Sequence, residues 1–331
     1  MREGSRRRNA VRLLIRALGD PLCGLAATVL RLSGRKVGFA LIYHSIAPPR
    51  RPGEELVPPH APELFAQQVR HLARWYDIVD GPTLLERVGA RRRGQRFPVA
   101  ITFDDDLREH VQTALPILRA AAARATFFLC GSSLDEPRAF WWQRLQHAVD
   151  RGVEQVPQLV SVRAGEPLPA DASIQRLGLV VECLSPEDRD AVSAALHERL
   201  GPDPPEIGLR AADVRTLVDA GMTIGFHTLR HDSLTLLDDP RLARALRDGR
   251  EQLEAVAGRP LDTVAYPHGR TDRRVADAAR EAGFRVGFAC EGRPVFADAD
   301  PLLVPRIEPS FRSAGHLAVQ LLLGLLARPQ R

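Results

Sequence analysis

Two stretches carry side chains whose types and spacing could do chemistry. The run Val99-Ala100-Ile101-Thr102-Phe103 ends in three consecutive carboxylates, Asp104, Asp105 and Asp106. Unpaired buried charge is costly, so three adjacent acids form either a solvated turn or a place where a cation offsets their repulsion. The second stretch, Met222 to His231, is again short and apolar and ends in His227-Thr228-Leu229-Arg230-His231. Two histidines four apart, on a helical turn or tight loop, can point the same way, and imidazole suits zinc and related metals. Two imidazoles and one carboxylate make three protein ligands and leave a position open for water, the arrangement of a catalytic rather than a structural metal site. A lone histidine is more often a satisfied polar residue. The pairing of His-x-x-x-His with Asp-Asp, each just after a strand, carries the functional reading.

The elements that must position these groups read as alternating strands and helices. Both apolar runs have strand length and a β-branched and aromatic character. Val37 to Ile46 reads as the first strand, Pro62 to Tyr76 as a helix, and Pro82 to Val88 as the start of another. After the acidic strand come a helix over His110 to Ala123 and a strand over Ala125 to Cys130. Beyond the insertion described next come a helix over Ala211 to Ala220, the histidine strand, and a helix over Pro240 to Val256. Asp262 to Tyr266 reads as a strand, Arg273 to Ala282 as a helix, Phe284 to Ala289 and Leu302 to Ile307 as strands, and His316 to Leu326 as a closing helix. This rhythm predicts parallel βα units, whose strand ends gather at one mouth. Residues 131–206 interrupt it and read as a mostly helical inserted cap. Phe140-Trp141-Trp142 opens the cap; its rings either anchor it or form part of a substrate wall. The expected organisation is a basic, amphipathic segment over 1–36 followed by one domain over 37–331.

Composition sets bounds. The 331 residues are 44% hydrophobic and 26% charged, ordinary for a globular protein. A net charge of +5 is too small to argue for nucleic acid. The clusters Arg6-Arg7-Arg8 and Arg91-Arg92-Arg93 read as solvated, the first with an anionic membrane surface as the alternative. Cys23, Cys130, Cys183 and Cys290 are scattered and read as buried small residues, with no disulfide framework. The apolar stretch over 11–32 is broken by Arg16, Asp20, Pro21 and Arg31, which argues against a spanning helix. An amphipathic helix lying on the protein or a membrane is expected instead. The expected location is cytoplasmic or peripheral to the membrane, with export as the alternative.

Through Thr102-Phe103-Asp104-Asp105 and His227-Thr228-x-x-His231 the chain resembles the polysaccharide deacetylase family, the NodB-homology type of carbohydrate esterase. Leu41 to Ile46 resembles the family's opening strand, Ala265-Tyr266-Pro267-His268-Gly269 its third motif, and Leu303 to Ile307 a late strand. The resemblance spans roughly residues 37 to 310 and implies an α/β fold: a distorted, incompletely closed (β/α) barrel, here with its helical insertion. It implies a hydrolase of linear amide C–N bonds that removes an N-acetyl group from an amino sugar of a polysaccharide, oligosaccharide or glycolipid. The cofactor would be a divalent metal, zinc first. A catalytically weak carbohydrate-binding relative, or a hydrolase of another amide or ester, are the alternatives.

By resemblance, Asp105, His227 and His231 are the metal ligands and Asp104 the general base. Thr228 orients a ligand within the histidine loop, and the backbone N–H of His268 helps hold the oxyanion. Three departures from the family pattern stand out. Asp106 replaces the glycine after the acidic pair and adds negative charge near the base. Ala265 replaces the arginine that orients the base, a role Arg306 is expected to take. The late Leu-x-x-His motif that supplies the general acid is missing, which leaves His44 or His268, or water, to protonate the leaving amine.

Overall fold

The computed structural model describes residues 15, 18–50 and 54–328. The run Arg6-Arg7-Arg8, the first part of the helix expected over 11–32 and the end of the loop expected over 48–53 lie outside the described residues. The chain opens with helix α1 over 18–30. Then follow β1 (Val37–Tyr43), α2 (Pro62–Trp75), β2 (Asp77–Val79), α3 (Leu84–Ala90), β3 (Pro98–Asp104), α4 (Leu115–Ala120) and β4 (Thr126–Leu129). Four inserted helices come next: α5 (Trp141–Asp150), α6 (Val156–Ala164), α7 (Ile174–Glu182) and α8 (Pro186–Leu200). The alternation resumes with α9 (Ala211–Asp219), β5 (Thr223–Phe226), α10 (Asp239–Ala245), α11 (Arg250–Ala257), β6 (Thr263–Ala265) and α12 (Arg273–Glu281). It closes with β7 (Val286–Cys290), β8 (Val295–Phe296), β9 (Val304–Arg306) and α13 (Ala314–Leu326).

The strands are near-continuous apolar runs because both their faces are covered, as parallel sheets require. Their order is β8-β1-β3-β4-β5-β6-β7-β9, parallel except for β8, which runs antiparallel to β1. β2 pairs with the first half of β3 and β4 with its second half, so one edge of β3 is shared between two strands. At the far side β9 meets β1 through a single bridge, Leu41 to Ile307. There the Ile42 N–H donates to the Ile307 carbonyl at 3.1 Å and the Ile307 N–H to the Ala40 carbonyl at 2.8 Å. The barrel is thus nearly closed, with one unsealed seam.

Alternation along each strand sorts the core into two layers. Val99, Ile101 and Phe103 join the large cluster between barrel and helices, while Ala40, Ala100, Phe128, Ala265, Phe288 and Val304 form a separate cluster. By the same alternation, Thr102 and Asp104 share the face of Ala100. In the outer layer Phe103 stacks on Phe127 at 4.7 Å and meets Tyr43 and Phe65 at 5.6 Å. Each such ring pair adds about 0.5–1.5 kcal/mol beyond its burial and stiffens the end of β3, from which Asp104 projects.

Several local expectations change. The helix expected over Pro240 to Val256 is two helices, because the segment between α10 and α11 contains Gly249 at φ 80°. The helix expected from His110 begins as a π-helical turn over His110–Ala114. The short strands β2 and β8 carry too few residues for a periodicity and went unread. Cys23 and Cys130 are buried, but Cys183 and Cys290 are exposed: one follows the last residue of α7 and the other ends β7, where the covering layers stop.

The insertion has its own core of Leu145, Val160, Leu177, Val181, Val192 and Leu196. Arg144 and Asp203 tie α5 to the segment that leads back to the barrel, Nη2 to Oδ2 at 2.6 Å and Nε to Oδ1 at 3.1 Å.

Candidate active site

Asp104, the last residue of β3, is fully buried and faces Arg306, the last residue of β9. The pairing is bidentate, Nη1 to Oδ1 at 2.6 Å and Nη2 to Oδ2 at 2.7 Å. Arg306 also donates to Thr102 Oγ1 at 3.3 Å and the Ala289 carbonyl at 3.4 Å, with its guanidinium 5.6 Å from the Phe128 ring. Burial alone would raise the Asp104 carboxyl. Arg306, helped by His227 and His44, overcomes it and holds the group at about 2. Asp104 is thereby held ionised down to low pH.

Asp105 turns away at φ 75°, a left-handed conformation uncommon for residues other than glycine. One oxygen, Oδ1, is buried without a hydrogen-bond partner. It lies 3.4 Å from His231 Nε2 and 3.7 Å from His227 Nε2. His227 Nδ1–H donates to the Ala265 carbonyl at 2.8 Å, which leaves Nε2 as the free lone pair on the Asp105 side. One ligand atom each from Asp105, His227 and His231 fall within 4.8 Å of one another. Burial, then the neighbouring Asp104 and Asp106, push the Asp105 carboxyl well above its ordinary range. Burial likewise lowers both imidazoles. A buried oxygen without a donor, beside two imidazole nitrogens, fits a divalent cation: such an ion offsets the repulsion and suits a mixed oxygen and nitrogen donor set.

Among the described residues six non-glycines have positive φ, and four of them belong here: Asp105, Thr228 at 59°, His231 at 51° and His268 at 58°. Residues held in sparsely populated regions cost about 1–3 kcal/mol each and gather where surrounding structure over-determines them.

Asp106 follows Asp105 with its carboxylate turned toward the loop after β4. The Asp106 carboxylate accepts the N–H groups of Cys130 at 2.8 Å, Gly131 at 3.2 Å and Ser132 at 2.8 Å, with Ser132 Oγ–H at 3.0 Å. It thus anchors the loop after β4, and its charge reaches the site through Asp105 rather than beside the base.

A cavity of about 430 Å³ opens on the cluster, lined by Asp105, His231, His44 and His268 from the barrel. Its remaining walls come from Trp141, Trp142 and α7, with His60, Glu308 and Phe311 on the other side. Trp142 lies 4.6 Å from the His231 ring and stacks on Phe140 at 4.4 Å. His268 sits 4.6 Å from His231, with Nδ1 3.5 Å from Glu182 of α7. Burial, with Asp104 opposing it, lowers His44 to about 4; burial with Arg189 lowers His268 to about 3. Burial raises Glu308. Two crossed ion pairs join the insertion to the histidine loop: Arg189 with Asp232, both buried, and Arg230 with Asp190.

The structure therefore brings Asp104, Asp105, His227, His231, His268, Arg306 and His44 to one mouth. Sequence reasoning missed His60, Glu182, Glu308 and the Arg189–Asp232 pair. Only two left a signal: Glu308 stands two residues after Arg306, and Asp232 directly follows His231.

The chain is thus an open (β/α) barrel with a buried Asp-His-His cluster at its mouth. Residues 91–156 and 194–287 match the model of one family, polysaccharide deacetylase. The chain resembles that family over those residues, a match that supports a deacetylase hydrolase acting on an acetylated carbohydrate. Solved structures share the fold. The Streptococcus pyogenes deacetylase PplD, in complex with acetate, is 17% identical with a TM-score of 0.58, over 87% of this chain and 98% of that one. IcaB from Ammonifex degensii is 17% identical with a TM-score of 0.55, over 87% and 97%. The polysaccharide deacetylase BC0361 from Bacillus cereus is 16% identical with a TM-score of 0.56, over 87% and 69%. Comparison with curated protein sequences gave no match.

Proposed function

We propose that the protein is a metal-dependent hydrolase that removes the N-acetyl group from an amino sugar of a glycan or glycolipid. The observation that carries this reading is the Asp105–His227–His231 cluster lying beside an ionised Asp104 held by Arg306. Asp105, His227 and His231 would hold a divalent cation, zinc first, which supplies Lewis acidity toward the acetyl carbonyl and acidifies water. Asp104 takes the proton of the attacking water. Arg306 keeps that carboxylate ionised and aimed. The water oxygen adds to the carbonyl carbon, and the backbone N–H of His268 steadies the oxyanion.

As the C–N bond breaks, the amine needs a proton. Burial holds His44 and His268 at about 4 and 3, so neither is protonated at neutral pH. Glu308, an exposed residue at the rim of the same cavity whose carboxyl is raised by partial burial, is the acid we assign. The cavity suits one sugar ring, with Trp142 as its flat wall.

The test pairs metal content with acetate release from N-acetylglucosamine oligomers. About one metal per chain and chelator-sensitive release are expected. Asp104→Asn should keep the metal and lose at least about 100-fold in rate, the worth of a general base. His227→Ala should lose the metal. Full-rate release after chelation, or unchanged metal in His227→Ala, overturns the reading.

A further inference from the structure

We infer that α1 and α13 together form a docking face for an anionic lipid bilayer. Leu18, Leu22, Leu25, Val29 and Leu32 recur at intervals of three and four residues, so on a helix they share one face. They are 47–71% exposed. The opposite face of α1 is seated on the body through buried Cys23 and Ala27. Asp20 accepts from Trp75 Nε1 at 3.3 Å, and Arg31 donates to the Trp75 carbonyl at 2.7 Å.

α13 lies alongside in the same direction. Gly19 meets Gly315 near the start of both helices, and Arg35 donates to the Ala327 carbonyl at their ends. Leu323 at 64% exposed and Leu326 at 55% extend the apolar face. Six large apolar side chains on two adjacent helices, with Leu32 in the turn after α1, are more than the scattered exposure normal for a protein surface.

Charge identifies the occupant. Nine of the 46 basic residues and two of the 41 acidic ones stand in the first 36 residues, an excess of seven positive charges. The remaining 295 residues carry 37 basic against 39 acidic. All the net positive charge of the chain is therefore carried by the sequence of the first 36 residues: Arg2, Arg6, Arg7, Arg8, Arg12, Arg16, Arg31, Arg35 and Lys36. A second copy brought face to face would set seven positive charges against seven. An anionic leaflet attracts them, while the leucines enter its interface. No helix among the described residues is long and apolar enough to cross a membrane.

The test uses the full chain and vesicles of phosphatidylcholine, with or without about one-third phosphatidylglycerol. Binding to the anionic vesicles should exceed that to neutral ones about tenfold or more and fall as salt rises. The triple variant Leu22→Glu, Leu25→Glu, Val29→Glu should lose at least about tenfold in binding while keeping its near-ultraviolet circular dichroism and its acetate release from soluble oligomers. That soluble assay separates failure of the docking face from failure of the deacetylase reading. Absence of vesicle binding, or full binding by a folded triple variant, overturns the proposal. So does a dimer in light scattering that the triple variant converts to monomer, which would make a second copy the occupant.

Discussion

Replacing Arg306 by methionine tests the Asp104–Arg306 pair where it is most exposed to refutation. Methionine keeps an unbranched apolar stem against Phe128 but removes both donors to Asp104, whose side chain is then buried and uncompensated. Asp104 is held at about 2 against an ordinary 3.8, and at about 1.4 kcal/mol per unit the difference is about 2.5 kcal/mol of stability. The folded value is the lower one, so this stability is present above pH 4 and is lost as pH falls through 2. Breaking a buried ion pair adds the cost of stranding a charge, for a total of about 3–5 kcal/mol. Urea unfolding at pH 7 should therefore show a loss in that range, and the acid limb of kcat/KM should move up by at least one pH unit, because Asp104 now protonates more readily. The double variant Asp104→Asn, Arg306→Met should recover part of the stability, since no charge remains buried. An Arg306→Met protein with unchanged unfolding and an unchanged acid limb would refute the idea that this guanidinium sets the state of Asp104.

Two other outcomes can be checked directly. Glu308→Gln should lower kcat about 100-fold at neutral pH and flatten the basic limb of its pH profile, with metal content unchanged; a basic limb identical to the parent's would remove Glu308 from the proton path. Trp142→Ala should raise KM for N-acetylglucosamine oligomers about fivefold to tenfold with little change in kcat, as loss of a ring wall predicts; an unchanged KM would leave Trp142 as an anchor of the insertion only.

What the sequence disclosed about this site depended on where each group stands. Asp104, Asp105, His227 and His231 each sit at or just beyond a strand end, and a strand can be read from its apolar run, so their convergence at one mouth followed from parallel βα order. Arg306 could be assigned to the base from order along the chain, because β9 is the strand that returns beside β1. The partners of Asp106, the N–H groups of residues 130–132, could not be read because they are set by the register of β3 against β4, which no periodicity reports. Glu182 and the other α7 residues of the cavity were invisible for another reason. An amphipathic helix announces which of its faces is apolar, not which cavity its polar face overlooks. The split at Gly249 was hidden by apolar spacing that runs across it.

The crossed pairs Arg189–Asp232 and Arg230–Asp190 also bear on how this scaffold can be re-engineered. The insertion has its own core and looks like a detachable module, yet it cannot be cut out or exchanged freely. A graft lacking Arg189 would leave the buried Asp232 with only the half-exposed Arg230, 3.4 Å away, as its counter-charge beside His231. A transplanted cap that brings a buried cation to that spot keeps Arg230 free for its own partner, so changing the roof over the sugar and preserving the histidine loop beneath it are a single design problem.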